Sequence, residues 1–328
     1  MKEFSHGGDV DSFAKRLGIK KNEVIDLSSN INFIKPKIKK DFNSLSISSY
    51  PNYDKLYKVL SKRYKVKNSQ LEIFNGATSA IFSLFNSLDF DKVYIFSPAY
   101  LEYKRACRVF GKEVVLVNRF EKIDADISPN SLVIFVNPST PDGKFYDIKR
   151  LLEISKRAKV LVDESFLEFC KNCESATKFL KSHDNLYILK SLTKFYSSAG
   201  IRLGIIISSK KNIKSIKQKE PLWKISEFDK NYILEALKDK KFIKKTQKKI
   251  AKNREFYTKK LLKLKEVEEV YPSSANYLLL RLNISAKEFQ KRVEKSFIMI
   301  RDCSNFDFLD DRFVRIAVKK KSYLKALK

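Results

Sequence analysis

Leu186-Tyr-Ile-Leu-Lys-Ser-Leu-Thr-Lys-Phe-Tyr-Ser-Ser-Ala-Gly-Ile-Arg-Leu-Gly-Ile-Ile-Ile207 sets two short apolar runs on either side of a polar string. The runs, 186–189 and 203–207, have the length and composition of buried strands. Between them, Lys194 sits among small hydroxyl residues, with Arg202 eight positions on. A lysine amine forms a Schiff base with an aldehyde, and hydroxyls beside an arginine hold a phosphate dianion. Pyridoxal phosphate carries both groups. The same string would also suit a solvated loop in a lysine-rich chain, so the flanking sequence has to decide.

Working outward, five more strand-like runs occupy 71–74, 93–96, 114–117, 132–136 and 160–162, and helical periodicity covers 78–88, 101–110 and 148–158. Strands alternating with helices predict an α/β fold, a mostly parallel seven-stranded sheet with helices on both faces. Such sheets bind ligands beyond the carboxyl ends of their strands, and the polar strings of this chain fall there. Gly76-Ala-Thr78 turns from a strand into a helix whose free amides can cup a phosphate. Ser97-Pro-Ala-Tyr100 supplies an aromatic ring able to lie flat on a cofactor. Asn137-Pro-Ser-Thr-Pro-Asp-Gly143 is a polar turn after the fourth strand. Asp163 ends a buried strand and needs a cationic partner there, since burying an unpaired carboxylate is costly. A protonated pyridine nitrogen would serve.

Before the sheet, His6-Gly-Gly-Asp-Val10, an amphipathic helix over about 10–18 and Asp26-Leu-Ser-Ser-Asn-Ile-Asn32 read as an arm able to fold over a site. Tyr50-Pro51-Asn-Tyr53 marks a turn, followed by a helical pattern through Leu56, Val59 and Leu60. After Ser208, lysine-rich helical sequence runs over about 229–265. Strand-like 275–281, a helix near 286–296, and strand-like 298–301 and 313–318 follow. These suggest a smaller α+β domain with Arg301 and Arg315 at strand ends, suited to bidentate binding of carboxylate or phosphate. The expected division is an arm with part of the small domain over 1–45, a large cofactor-binding domain over 46–215, and a connecting helix with a small domain over 216–328.

The formal charge of +29, from 67 basic and 38 acidic residues, raises nucleic acid or an acidic membrane as partners. The lysines, however, are spread along the chain among acidic residues, and arginine forks interleaved with aromatics are absent. A solvated surface that suits a small anionic substrate is the expectation, with no nucleic-acid or membrane partner. No apolar run is long enough to span a bilayer, and Met-Lys-Glu-Phe-Ser-His lacks a signal-peptide core, so the expected location is cytoplasmic. Four cysteines make no disulfide framework. Cys170-Lys-Asn-Cys173 has metal-knuckle spacing without a second pair, Cys107 and Cys303 are lone, and no metal is expected.

With these strings in hand, the chain resembles the fold-type I pyridoxal-phosphate enzymes of the histidinol-phosphate aminotransferase-like family over about 6–318. The likeness is closest to the branch that decarboxylates L-threonine O-3-phosphate in cobalamin biosynthesis. It is carried by His6-Gly-Gly, 26–32, Tyr50-Pro51, 191–196 with 200–204, 275–281, Ile298-Met-Ile-Arg-Asp-Cys303 and 309–317. The resemblance implies that Lys194 forms the Schiff base and moves protons at the substrate α-carbon. It implies that Asp163 pairs with the pyridinium nitrogen and Tyr100 stacks on the ring. Gly76, Ala77, Thr78, Ser191, Thr193 and Arg202 would hold the cofactor phosphate, with Tyr50 reaching it from the other subunit of a homodimer. Asn32 and Arg315 would hold the substrate carboxylate, and His6 and Arg301 its phosphate. Thr140 stands where the family has an asparagine that bonds the cofactor's phenolic oxygen, with Asn137 a possible substitute. Phe166 replaces the aminotransferases' usual tyrosine, which favours the decarboxylases.

The expected activity is therefore decarboxylation of a phosphorylated hydroxy amino acid, threonine phosphate first and O-phosphoserine as an alternative. An aminotransferase acting with the same lysine and ring is the competing enzyme. A nucleic-acid binder that has kept the fold is the competing non-enzyme, and an intact Lys194–Asp163–Arg202 set argues against it.

Overall fold

A computed structural model describes residues 6–154 and 156–326. Met1 to Ser5, part of the segment lacking a signal-peptide pattern, and Ser155, inside the helix expected over 148–158, lie outside the described residues. In chain order the elements are α1 (Val10–Leu17), β1 (Ile25–Asp26), α2 (Asp54–Tyr64), β2 (Leu71–Phe74), α3 (Gly76–Ser87), β3 (Lys92–Ser97), α4 (Glu102–Val109) and β4 (Glu113–Asn118). Next come β5 (Ser131–Val136), α5 (Ile148–Ile154), β6 (Lys159–Asp163), β7 (Leu186–Ser191), α6 (Leu192–Phe195), β8 (Gly204–Ile207) and α7 (Lys210–Lys217). The chain ends with α8 (Glu227–Lys238), α9 (Phe242–Leu261), β9 (Val267–Val270), β10 (Tyr277–Leu282), α10 (Ala286–Val293), β11 (Ile298–Met299), β12 (Arg301–Asp302) and β13 (Phe313–Ala317).

All seven expected strands join one sheet, in the order β2-β8-β7-β6-β5-β3-β4. It is parallel except at β8, which runs antiparallel to both β7 and β2. Side chains alternate across a sheet with period two, and β5 shows the result. Val133 and Phe135 pack with α2, α5 and α8 on one face, while Leu132, Ile134 and Val136 pack with α3, α4 and α7 on the other. Both faces are therefore covered, which is why these strands read as unbroken apolar runs.

A second sheet has the order β12-β13-β10-β9 and is antiparallel throughout. Its core joins Leu278, Leu280, Val314 and Ile316 to Phe289 of α10. The long helix α9 serves both cores, with Phe242 and Ile250 in the first and Tyr257 and Leu261 in the second. The N-terminal segment is stitched to this second sheet. β1 pairs in parallel with β11, and Leu27 exchanges backbone bonds with Met299 and Ala317.

Cys170 and Cys173, which the sequence presents as half of a metal knuckle, are joined by a disulfide with Cα atoms 5.5 Å apart. A two-residue spacer brings two Cα atoms within disulfide range as readily as within metal range. Among the described residues, no helix is long and apolar enough to cross a membrane.

Candidate active site

Parallel strands put their carboxyl ends on one edge of a sheet, and a cavity of about 340 Å³ opens there. Ala77, Thr78, Tyr100, Thr140, Asp163, Ser191, Thr193, Lys194 and Arg202 line it from the seven-stranded sheet. Arg301 and Arg315 line it from the second sheet, and His6 and Asn30 from the N-terminal segment.

Lys194 stands on α6, the single turn between β7 and β8. Its Nζ lies 4.9 Å from the ring centroid of Phe166 and 5.8 Å from that of Tyr100. Burial lowers its pKa from the ordinary lysine value; Asp163 opposes this, and Arg315 and Arg202 add to it. A lowered pKa leaves more free amine, the nucleophilic form, at a given pH. Asp163 ends β6 with its carboxylate fixed from three directions. It accepts from the Tyr103 hydroxyl at 2.8 Å, the Ser165 amide at 2.8 Å and the Ser165 hydroxyl at 2.5 Å.

At the start of α3, Gly76 adopts φ +83°, and a Cβ there would stand 2.5 Å from Nη2 of Arg202. Gly204 of β8 passes so close that its Cβ would meet the Ala77 amide nitrogen at 2.5 Å. Glycine at both positions lets a helix N-terminus, an arginine and two hydroxyls converge. Ser191 and Thr193 are hydrogen-bonded to each other at 2.9 Å, and Arg202 is braced by the Ala199 carbonyl at 2.9 Å. Amides, hydroxyls and a guanidinium in one recess form an anion cup. Thr78 bonds the Tyr100 hydroxyl at 3.2 Å, tying the ring to this cup.

Arg301 and Arg315 are direct cross-strand partners on β12 and β13, and only 7% and 9% of their surfaces are exposed. Arg315 donates to the Thr140 hydroxyl at 3.1 Å and the Ser28 carbonyl at 3.3 Å, and its Nε has no partner. Arg301 donates to the Asp302 carbonyl and, at 2.7 Å, to Asn305. Burial lowers the pKa of both guanidinium groups. Like charges set directly opposite across strands repel, so an anion between them would relieve a real cost. His6 closes the same side, its Nε2 3.3 Å from Glu102 and its ring 5.4 Å from that of Tyr100.

Four of the expected residues have partners of their own in this chain. Asn32 is buried with its amide already used: Nδ2 donates to the Phe195 carbonyl at 2.8 Å and Oδ1 accepts from the Ile34 amide at 3.1 Å. Its backbone N–H also bonds the Lys194 carbonyl at 3.0 Å. Asn32 therefore clamps α6, and it is Asn30, with a partnerless buried Oδ1, that lines the cavity. Asn137 is likewise consumed, exchanging two hydrogen bonds with the Tyr146 backbone, so it is no substitute for a ring contact. Thr140 holds Arg315. Tyr50 lies outside this chain's own cavity, 73% exposed and stacked on Trp223 at 4.0 Å.

Sequence reading also missed the buried pair Arg119–Asp142. Arg119 binds the Pro98 and Thr140 carbonyls as well as Asp142, locking together the turns that carry Tyr100 and Thr140. An arginine in the middle of an apparent surface turn carries no signal of this.

Residues 21–327 match the family described as aminotransferase class I and II. The threonine-phosphate decarboxylase of Salmonella typhimurium is 28% identical over 96% of this chain and 92% of its own. The structure of the histidinol-phosphate aminotransferase from Clostridium acetobutylicum is 30% identical, with a TM-score of 0.82 over 93% of this chain and 98% of that one. A histidinol-phosphate aminotransferase from Sinorhizobium meliloti, solved in complex with pyridoxal-5'-phosphate, shares the fold at 16% identity and a TM-score of 0.84, covering 98% of this chain and 92% of that one. With a lysine, a braced carboxylate and an anion cup at the strand ends and a family match over nearly its whole length, the chain belongs to the class I and II aminotransferase family.

Proposed function

We propose that the chain is a pyridoxal-phosphate-dependent decarboxylase of a small phosphorylated amino acid, with L-threonine O-3-phosphate the foremost candidate. The residues present suit the cofactor group by group. Lys194 faces the cavity with its pKa lowered, the Asp163 carboxylate is fixed by three hydrogen bonds, and a cup of Ala77, Thr78, Ser191, Thr193 and Arg202 is preformed. Lys194 would hold the aldehyde carbon, Asp163 the pyridine nitrogen, Tyr100 the ring face and the cup the phosphate. When bound, the cofactor supplies an electron sink for the pair released from a bond to the substrate α-carbon.

The protein's own work is then to choose that bond. Arg315 holds the carboxylate, Arg301 and His6 hold the distal phosphate, and two fixed ends set the rotation of the α-carbon between them. Lys194 carries the proton that replaces the departing carbon dioxide. Phe166, beside the amine, offers no hydroxyl to that proton path. The observation that carries this reading is the buried cross-strand pair Arg301–Arg315, a second anion site in addition to the cofactor cup.

The working form is a homodimer. Tyr50, Trp223, Ile47 and Leu222 are 73%, 52%, 81% and 75% exposed, with Tyr50 stacked on Trp223, an exposed apolar group that a second copy could cover. In a dimer, Tyr50 would reach the neighbour's phosphate cup. The test of activity is product analysis. The cofactor-loaded protein is incubated with O-phosphothreonine, O-phosphoserine, and histidinol phosphate plus a 2-oxo acid. Carbon dioxide with a phosphorylated amine from the first is expected. Amino transfer to the oxo acid without carbon dioxide would overturn decarboxylation in favour of an aminotransferase.

A further inference from the structure

Three consecutive residues at the start of α4 reach three different segments, two of them at cavity-lining residues (His6 and Asp163) and the third at Asp307, next to the lining residue Phe306. Glu102 Oε1 meets His6 Nε2 at 3.3 Å, the Tyr103 hydroxyl donates to Asp163 at 2.8 Å, and Lys104 Nζ donates to Asp307 at 2.6 Å. Consecutive helical residues point about 100° apart, so one turn can serve three directions.

The Lys104 branch leads to Arg301. Asp307 is also held by the Ser97 hydroxyl at 3.2 Å, at the end of β3. It directly follows Phe306, whose ring centroid lies 5.3 Å from the Arg301 guanidinium, and it is two residues past Asn305, which accepts from Arg301 at 2.7 Å. The large sheet thus fixes the segment against which Arg301 rests. The Glu102 branch leads to His6. Glu102 is only 4% exposed, and a carboxylate so placed needs a cation or hydrogen-bond partners; Arg105 lies at 3.5 Å and His6 Nε2 at 3.3 Å.

We propose that Lys104 and Glu102 are positioning residues for the pocket that receives the substrate's distal phosphate, Lys104 through Asp307 and Arg301, Glu102 through His6. The inference rests on the reading of Arg301 and His6 given above. Its physical content is that the phosphate end and the cofactor end are registered on one rigid turn, since Tyr103 of the same turn holds Asp163.

The test uses the cofactor-loaded protein and the variants Lys104→Met, Asp307→Asn, their double and Glu102→Gln. KM and kcat are measured for the phosphorylated amino acid and for its unphosphorylated parent, with the inhibition constant of inorganic phosphate. Each single variant should raise KM for the phosphorylated substrate roughly three- to tenfold more than for the parent, and weaken inhibition by phosphate in step. The double should be no worse than the poorer single, because both remove one interaction. Equal effects on both substrates, or an additive double, would overturn the proposal. Should Lys104→Met not fold, the near-isosteric Asp307→Asn decides the question alone. Arg301→Ala separates the two layers: without preferential loss for the phosphorylated substrate, the reading of Arg301 fails. With it, and with no effect at Lys104 or Asp307, only this inference fails.

Discussion

At the scale of single residues, the cavity divides its cations by task on the proposed reading, and each division can be measured. Lys194 should be the lysine that holds the cofactor. Borohydride reduction and peptide mapping should place the pyridoxyl group there, and label on another lysine would contradict the assignment. Because burial, Arg315 and Arg202 lower the pKa of its amine against the pull of Asp163, the cofactor-free protein should stay reactive toward the aldehyde at pH values where an exposed lysine is fully protonated. A capture rate that falls off with the profile of free lysine would argue against that environment. Arg315→Ala should weaken turnover of phosphorylated and free amino acids alike, whereas Arg301→Ala should act on the phosphorylated one. Losing a charge-assisted contact to a bound anion costs about 1.5–3 kcal/mol, roughly tenfold to a hundredfold. The lysine and both arginines were legible because each stands in a string whose neighbours have matching chemistry. Asn32 and Asn137 misled for the opposite reason. An amide donates and accepts equally well to backbone or ligand, so only coordinates reveal that both had already been spent on main-chain groups.

At the scale of elements, six of the seven strands announce themselves because burial on both faces leaves little room for polar residues, and the half-exposed edge strand β4 does so through its run Val-Val-Leu-Val. Lys190 is the exception within β7, and it is paired with the buried Glu164. The edge strand β9, Val-Glu-Glu-Val, and the lysine-rich α7 were not legible, since half-exposed elements carry weak periodicity. Close approach between elements is equally silent in sequence except as glycine. Gly204→Ala would drive a Cβ to 2.5 Å from the Ala77 amide and 2.6 Å from the Gly76 carbonyl carbon. Backbone cannot swing aside as a side chain does. The variant should lose about 1–3 kcal/mol of stability by denaturant melting, and retain the cofactor less well on dialysis because the start of α3 is displaced. A stable variant with normal retention would show that β8 and α3 yield independently.

At the scale of the whole molecule, the charge of +29 and the exposed aromatic face act on different steps. On the proposed reading, a positive field would speed the arrival of a phosphorylated substrate and be screened by salt, while the apolar face would be covered by a second copy of the chain. Sedimentation of the cofactor-loaded protein should give a dimer. Mixing Tyr50→Phe with Lys194→Ala protomers should restore part of the activity if each cup borrows a tyrosine. A fully active monomer would refute the shared site.

The stitching of the N-terminal segment bears on how such a chain is made. Ile25 and Asp26 find their strand partners at Ile298 and Met299, and the Leu27 carbonyl accepts from Ala317. Asn30, on the cavity wall, has its carbonyl bound by Asn276. On a ribosome, wall residues of the N-terminal segment must therefore wait for partners far along the chain before they can be placed. Contacts so distant in sequence form slowly and late. The nascent chain can complete its large sheet while its binding cleft still lacks a side, so competence to trap the cofactor should arrive only after Asn276, β11 and β13 have been made and packed.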